Sequence, residues 1–164
     1  MKTRILTAVA LVGIITALFL GNLLVTGASG GGGTVISGGG TTMVQGGTGD
    51  PTFTPVITKF AFNWRSGKGH FECLALAPSA PAGDPGSGEF DTNVMYVTGP
   101  IDSAEIVGSE ARFEGTSTVT GLGAGTDQHF TVRVTRGGPG ATLVLRVAGL
   151  TFREILLEGQ ISFG

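Results

Sequence analysis

Hydrophobic and polar residues alternate along most of the chain beyond residue 53. In the segment 56–65, the large apolar residues Phe60, Phe62 and Trp64 occupy even positions, whereas Lys59 and Arg65 occupy odd ones. The same two-residue period recurs in segments 111–120 and 129–135. Because successive side chains of a strand point to opposite faces of a sheet, this period indicates half-buried β-strands. Beyond the first 28 residues, no segment shows the apolar stripe that is typical of a helix.

Separators that contain glycine or proline divide the alternating part into short units. In the last unit, the period places Ile155, Leu157 and Ile161 on the buried face and Glu158 on the exposed face. The predicted strands span residues 56–64, 71–77, 89–97, 101–107, 111–120, 129–135, 142–148 and 155–163. This spacing predicts an all-β fold, either an antiparallel β-sandwich or a small closed barrel of about eight strands, with no helix in the mature chain.

The first 28 residues have the form of an export signal. Two basic residues, Lys2 and Arg4, precede a charge-free apolar stretch, and small residues around Gly27 and Ala28 suit cleavage. We therefore predict a signal peptide over residues 1–28 and a secreted or cell-surface protein, periplasmic where the host has an outer membrane. The apolar stretch approaches the length that spans a bilayer, so an uncleaved anchor is the alternative. In that case the leader would be the membrane contact.

A Gly/Ser/Thr-rich tract separates the leader from the alternating part. Residues 29–52 are predicted to be a flexible spacer, because this composition is typical of tethers between folded parts. Two apolar pieces within the tract, Thr34–Ile36 and Met43–Val44, are alternatively short edge strands. The β-domain itself is predicted to span residues 53–164.

Composition narrows the class of partner. Beyond the leader, the chain carries eight basic and 12 acidic residues. Without a basic patch to neutralise phosphates, nucleic acid is not expected to be a partner.

The 30 glycines would suit a low-complexity chain, but 41% hydrophobic residues with a two-residue period indicate a folded domain with many tight turns. Cys73, the only cysteine, cannot form an intramolecular disulfide, and its apolar neighbours predict that it is buried.

Turn glycines and core positions occur in an order that resembles a known family. The segments that carry the resemblance follow the Gly-rich tract and are 60–62, 67–71, 97–103, 111–115, 130–134, 137–140 and 157–161. They resemble the small exported bacterial β-domains of the post-COAP type, which often follow Ig-like or other surface modules. The resemblance covers about residues 31–164 and implies an exported all-β architecture, with no catalytic residues assigned. The chain departs from it in the Pro/Gly loop at 78–88 and at Arg133 and Arg136.

Few residues beyond the leader are of the types that carry catalysis. The two histidines, His70 and His129, lie near turns, where polar residues on solvent-facing positions are expected. A hydrolase would use one of them together with nearby carboxylates. One cysteine and two separated histidines offer no usual zinc-ligand spacing, and no cofactor is predicted.

The loop between residues 78 and 88 is a candidate site for a hard cation. Asp84, Glu89 and Asp91 lie in or beside this oxygen-rich loop and are the predicted calcium ligands. The loop lacks the alternating Asp/Asn spacing of a dedicated calcium loop, so a plain solvated loop is the alternative.

Trp64 is the other candidate ligand contact. A sugar ring could stack on its indole while Asn63 or Arg65 hydrogen-bonds the hydroxyls of the sugar. Since Trp64 shares the apolar face of its strand with Phe60 and Phe62, the alternative is that the indole belongs to the core.

The pattern as a whole favours a non-enzymatic exported β-domain. It would act as a surface or extracellular interaction module, or as a structural subunit that self-associates through exposed strand edges. The expected partners are a protein or glycan surface or a second copy of the chain. The alternatives are the small hydrolase and a barrel that encloses a ligand or lies in an outer membrane. A deep apolar cavity would distinguish the ligand-enclosing barrel.

Overall fold

A computed structural model describes residues 33–46 and 54–164 of the chain. Within these residues the regular structure is all β, and no helix is long and apolar enough to cross a membrane. The strands are β1 (Val35–Val44), β2 (Ile57–Arg65), β3 (Lys68–Pro78), β4 (Phe90–Val107), β5 (Glu110–Gly121), β6 (Gly125–Thr135), β7 (Thr142–Val147) and β8 (Leu150–Phe163). The predicted signal peptide, residues 1–28, lies outside the described residues.

The eight strands form one closed barrel. Each strand pairs antiparallel with the next along the chain, and β8 pairs with β1. The prediction of an all-β fold of about eight strands is therefore confirmed, and the closed barrel rather than the sandwich is the form adopted. Closure pairs every strand with a neighbour on both sides over part of its length, so no whole strand of the described part of the chain lies at a sheet edge. Self-association through exposed strand edges stays a prediction.

Strand β1 comes from the tract that is predicted to be a spacer. Its ten residues pair with β2 on one side and with β8 on the other, so they are part of the barrel rather than a tether or a pair of short edge strands. Glycine is needed here for space, because a Cβ at Gly38 would lie 2.5 Å from the ring of Phe62. Residues 29–32 and 47–52 of the predicted spacer lie outside the described residues.

Strand β4 continues through Gly99 and Pro100, where the sequence predicts two separate strands. Pro100 is exposed, and the pairing with β5 shifts register between Ile101 and Ser103. Proline has no N–H to donate to the hydrogen bonds of a sheet. It is therefore tolerated within a strand at irregular places, such as this register shift. Two of the predicted strands are thus one strand, β4. The additional strand β1 brings the total back to eight, so the predicted number of strands is right.

A β-bulge in β8 changes the side of the sheet on which its residues lie. Leu157 has no partner in β1, because it falls between the pairs Thr41–Glu158 and Thr42–Leu156. Leu156 is consequently buried and Leu157 is 45% exposed. The prediction that odd positions face the core is therefore wrong before the bulge, and it is confirmed beyond the bulge at Ile161 and Phe163, which are buried.

The middle of the barrel is filled by stacked and tilted phenylalanine rings. Contacting rings have centroids 4.8–5.8 Å apart. We call this group the aromatic core; its members are Phe60, Phe62, Phe71, Phe113 and Phe130. Inward-facing glycines such as Gly38 and Gly115 leave the space that these rings occupy.

Candidate functional site

The interior at one end of the barrel holds a cavity of about 130 Å³, which we call the end cavity. It lies where β1, β3 and β5 end and where β2, β4 and β8 begin. Its wall is formed by Val44, Val56, Thr58, Cys73, Ala75, Val94, Met95, Leu122, Leu145, Phe152 and Glu154. Several positions of this wall carry alanine, valine or threonine where the aromatic core carries phenylalanine, so the barrel is not filled here. Leu122, in the β5–β6 turn, is 51% exposed and stands at the outer rim.

Among the acidic and basic residues of the described part of the chain, Glu154 is the one that is buried, with 2% of its surface exposed. It projects inward from β8, and its Oε1 accepts a hydrogen bond from Thr58 Oγ1 at 3.1 Å. Its Oε2 is hydrogen-bonded to Thr42 Oγ1. Thr42 Oγ1 also lies 3.2 Å from the carbonyl oxygen of Thr58. Three neighbouring strands, β8, β1 and β2, thus each contribute a buried polar residue at the end cavity.

Burial raises the pKa of the Glu154 carboxyl above its ordinary value, and the hydrogen bonds to Thr42 and Thr58 offset this only in part. Among the described residues, no lysine, arginine or histidine lines the end cavity. A buried carboxylate without a cation pays a desolvation cost that a neutral carboxyl avoids. Glu154 therefore keeps its proton over a wider pH range than an exposed glutamate does.

Counting hydroxyl hydrogens leads to the same protonation state. Thr42 and Thr58 have one hydroxyl hydrogen each. If Glu154 is neutral, its own hydrogen bonds Thr42 Oγ1, Thr42 donates to the Thr58 carbonyl, and Thr58 donates to Oε1, so all three contacts are hydrogen bonds. If Glu154 is ionised, the single hydrogen of Thr42 must serve two acceptors. The geometry therefore fits the neutral carboxyl.

Cys73 is the second titratable group in the wall. It is buried, with 4% of its surface exposed, which confirms the prediction from its apolar neighbours. Burial raises the pKa of the thiol, and Glu154 adds to the effect once it is ionised. Because the thiolate is the reactive form of cysteine, a thiol held neutral in this way is a poor nucleophile.

The structure separates the residues of the predicted sugar-binding patch. Trp64 is buried, with 8% of its surface exposed, whereas Asn63 and Arg65 are exposed on the outer face of β2. The indole belongs to the hydrophobic core together with Phe60 and Phe62. A sugar cannot stack on Trp64 while either neighbour binds its hydroxyls, because successive strand residues point to opposite faces.

The predicted calcium residues Asp84, Glu89 and Asp91 are exposed. The loop that carries Asp84 is held by its own hydrogen bonds, such as that from Asp84 N to the carbonyl of Pro81 at 3.1 Å. Nowhere in residues 33–46 and 54–164 do three or more acidic, histidine or cysteine side chains form a group that could hold a metal. The structure therefore does not bring the three carboxylates together as a ligand set.

The 78–88 loop and Trp64 also lie at opposite ends of the barrel. Trp64 pairs with Gly69, near the start of β3, whereas the loop follows Pro78 at the end of that strand. At about 3.3 Å per residue, this separates them by roughly 30 Å. They do not border a common cleft.

The two histidines lie on the outer surface, away from the end cavity. His70 Nε2 lies 2.9 Å from Thr98 Oγ1, and His129 Nε2 lies 3.7 Å from a carboxylate oxygen of Glu114. Glu114 also accepts a hydrogen bond from Ser103 at 3.2 Å. Here the carboxylate stands between the serine and the histidine, whereas nucleophilic catalysis needs the histidine in that place.

Charged residues form a group on the outer face of β4, β5 and β6. Arg133 Nη2 donates a hydrogen bond to Glu110 Oε2 at 2.6 Å, and this bond lowers the pKa of Glu110. Arg112 contacts the same carboxylate at 3.6 Å and Glu105 at 3.9 Å. All four side chains are partly exposed, so the group resembles the solvated surface charges of ordinary barrels and contributes little to stability.

Glu154 is the buried acidic residue that the sequence pattern does not identify. Glu154 lies two residues from Phe152 and two residues from Leu156, so all three share one face of the strand. An acidic residue on the same face as two apolar residues is the signal that could have identified it. The period extrapolated from Ile161 and Phe163 places Glu154 on the outer face, because it does not include the bulge at Leu157.

Comparison of the chain with protein-family models, with curated proteins and with solved structures found no significant match. The resemblance to the post-COAP type therefore stays a prediction.

Proposed function

We propose that this protein is an exported, non-enzymatic barrel that binds one small apolar molecule, or the apolar end of a longer one, in the end cavity. The observation that carries the proposal is the cavity of about 130 Å³ in a barrel whose middle is densely packed. Export rests on the predicted signal peptide. Among the functions that the sequence leaves open, this is the ligand-enclosing barrel.

The size and lining of the end cavity set the class of ligand. Eight-stranded barrels are either filled by side chains or hold one small ligand. An apolar cavity of about 150 Å³ in a protein interior stays dry and binds a molecule of the size of benzene. The end cavity is close to this volume, and most of its wall is aliphatic or aromatic. A ligand with a single ring or a short alkyl chain fits it.

The distribution of charge supports a ligand inside the barrel rather than a barrel in a membrane. The interior is apolar, whereas the outer faces of β2, β3 and β5 carry exposed charges such as Lys59, Glu72 and Arg112. Membrane barrels have the reverse arrangement, with an apolar outer band and a polar lumen. The alternation in these strands therefore favours a packed interior with one ligand pocket.

Calorimetric titration of the mature protein with toluene tests the proposal. Toluene is expected to bind with one-to-one stoichiometry and to raise the free energy of unfolding by about 1.4 kcal/mol at ten times its Kd. The variant Ala75→Leu enlarges a side chain of the cavity wall and should abolish binding. Ala61→Leu makes the same change on the exposed outer face of β2 and should leave binding unchanged.

Two results would contradict the proposal. One is the absence of toluene binding by the folded wild-type protein. The other is equal binding by wild type and by a folded Ala75→Leu variant, which would place the toluene site outside the end cavity. The control variant Ala61→Leu distinguishes a local effect of the larger side chain in the cavity wall from a general effect of added apolar surface.

A further inference from the structure

We propose that the outer face of β5–β8 carries a second binding site, which takes an acidic polysaccharide whose carboxylates pair with arginines. The site lies outside the barrel and does not depend on the end cavity. We call it the arginine groove; its basic residues are Arg112, Arg133, Arg146 and Arg153. They are four of the eight basic residues beyond the leader, and all four are exposed.

The register between the strands brings these arginines together. Arg112 of β5 lies directly opposite Arg133 of β6. Arg133 lies opposite Val144 of β7, and Val144 lies opposite Arg153 of β8. Since adjacent strands are about 4.8 Å apart, these positions form one row about 14 Å long. Arg146 follows Val144 by two residues, so it stands on the same face beside the row.

The row borders a groove of about 720 Å³ on the outer face. Three cross-strand partners line its floor: Ala104, Phe113 and Val132. Arg112 and Arg133 stand on one side of this floor, and Arg146 stands on the other. A second hollow, of about 220 Å³, lies between Arg133 and Arg153. Because Arg133 lines both hollows, they form one continuous surface with room for several sugar rings.

The arginines of the groove have too few acidic partners. Glu110 accepts the hydrogen bond of Arg133 and also contacts Arg112, so one carboxylate serves two like charges that face each other. Like charges directly opposite each other in a sheet cost stability. Among the described residues, neither Arg146 nor Arg153 forms an ion pair. Carboxylates of a ligand would supply the partners that these two arginines need.

Positive charge is concentrated over β6, β7 and β8. The exposed or half-buried acidic side chains beside the groove belong to β4 and β5; they are Glu105, Glu110 and Glu114. Glu154 follows Arg153 on β8, but it projects into the barrel, where it is 2% exposed. An anionic chain is therefore expected to cross β6–β8, away from the carboxylates of β4 and β5.

The chemistry of the groove suits a polysaccharide that carries carboxylates. A guanidinium group binds a carboxylate through two parallel hydrogen bonds. A polyuronate repeats carboxylates along one narrow chain, and such a chain can follow a row of arginines around the curved wall of a barrel. Thr131 lines the groove opposite Arg146, where its hydroxyl can bond a hydroxyl of a sugar.

Two other kinds of polyanion fit the groove less well. Single-stranded nucleic acid binds aromatic side chains on which its bases stack, and the aromatic residue of the lining, Phe113, is buried. A protein interface is centred on a large side chain that fills a pocket of the partner. The exposed large apolar residues of the described chain lie outside the groove; they are Val35, Val107, Leu122 and Leu157.

Calorimetric titration with hexagalacturonate at low ionic strength tests the inference without any variant. Wild type is expected to bind this oligosaccharide, and the affinity should fall as salt is added, because the paired charges are exposed to solvent. The fully methyl-esterified oligosaccharide has the same backbone without the charges. It is expected not to bind.

Two double variants locate the site. Replacing Arg146→Gln and Arg153→Gln together removes two charges from the groove and should weaken the binding of hexagalacturonate about tenfold. Replacing Lys59→Gln and Arg65→Gln together removes two charges from the exposed face of β2, four strands away from β6, and should leave binding unchanged. Urea denaturation checks that both variants are folded. Since both change the net charge equally, a difference between them reports the position of the site.

The inference is wrong if folded wild type does not bind hexagalacturonate, if the methyl ester binds equally well, or if the two double variants weaken binding to the same extent. It is also wrong if a thymidine hexanucleotide or hexaglutamate binds more tightly than hexagalacturonate, since the groove would then be a site for nucleic acid or for an acidic protein. None of these results bears on toluene binding in the end cavity, so the proposed function is tested separately.

Discussion

The two parts of the barrel interior are filled in different ways. In the aromatic core, five phenylalanine rings contact one another, and glycines opposite them leave the necessary space. In the end cavity, smaller side chains leave about 130 Å³, and a carboxyl group lies buried beside it. Close packing supplies most of the stability of a domain, whereas a cavity reduces it. The aromatic core therefore maintains the fold, whereas the end cavity is the site that we propose binds a ligand.

The largest expected effect is the loss of a ring from the aromatic core. Phe71 is fully buried and contacts two other rings, so Phe71→Ala should reduce the free energy of unfolding by about 3–5 kcal/mol. Urea denaturation measures this. Leu157→Ala, at the exposed bulge, should change it by less than about 0.5 kcal/mol. If the two variants lost similar amounts of unfolding free energy, the aromatic core would not be the part of the barrel that stabilises the fold.

A smaller loss is expected where glycine makes room for the aromatic core. A Cβ at Gly38 would lie 2.5 Å from the ring of Phe62, so Gly38→Ala should cost about 1–3 kcal/mol through overpacking. The matched control is Gly88→Ala in the 78–88 loop, where nothing lies within 4 Å of the added atom. Thermal unfolding of both variants measures the effect. If Gly38→Ala left the stability unchanged, β1 would not be packed closely against β2.

At the end cavity, the expected change is one of pH dependence. The pKa of Glu154 is raised in the folded state by burial, so its contribution to stability is fully present below the unfolded value, about 4.5, and is lost as pH rises through the folded value. Glu154→Gln removes this titration and should make stability less dependent on pH. Denaturation of wild type, Glu154→Gln and Glu158→Gln across the pH range measures it. If the two variants behaved alike, Glu154 would not be a buried acid.

The smallest expected effect is a gain in the free energy of unfolding. Ala75→Leu adds carbon atoms to the wall of the end cavity, and filling of this kind commonly stabilises a protein by about 0.5–1 kcal/mol. The same variant is expected to abolish toluene binding, so stability and binding should change in opposite directions. A loss of more than about 1 kcal/mol would indicate overpacking and a cavity smaller than the structure shows.

The two regions also differ in how well the sequence predicts them. Alternation identifies Phe60, Phe62 and Phe113 as inward-facing because β2 and β5 run regularly through the middle of the barrel. The end cavity lies beside irregular places: the register shift opposite Leu157 and the one between Ala75 and Leu76. A bulge adds one residue to one strand and moves all later side chains to the other face, and no local pattern announces it.

The glycine tract shows the limit of composition as a guide. Residues 35–44 have few side chains to bury, which is typical of a spacer, yet they form a complete strand of the barrel. What favours the strand is the space that Gly38 leaves for Phe62 and the hydrogen bonds to β2 and β8. Both depend on strands that are distant in the sequence, so the tract by itself cannot indicate them.

By itself, the sequence determined the all-β class, the approximate number of strands and the burial of Cys73. These follow from side-chain periodicity and apolar surroundings, which are properties of neighbouring residues. The tertiary structure decided the closure of β1 on β8 and the meeting of Glu154 with Thr42 and Thr58. These depend on the register between strands that lie more than 90 residues apart, which only the folded barrel specifies.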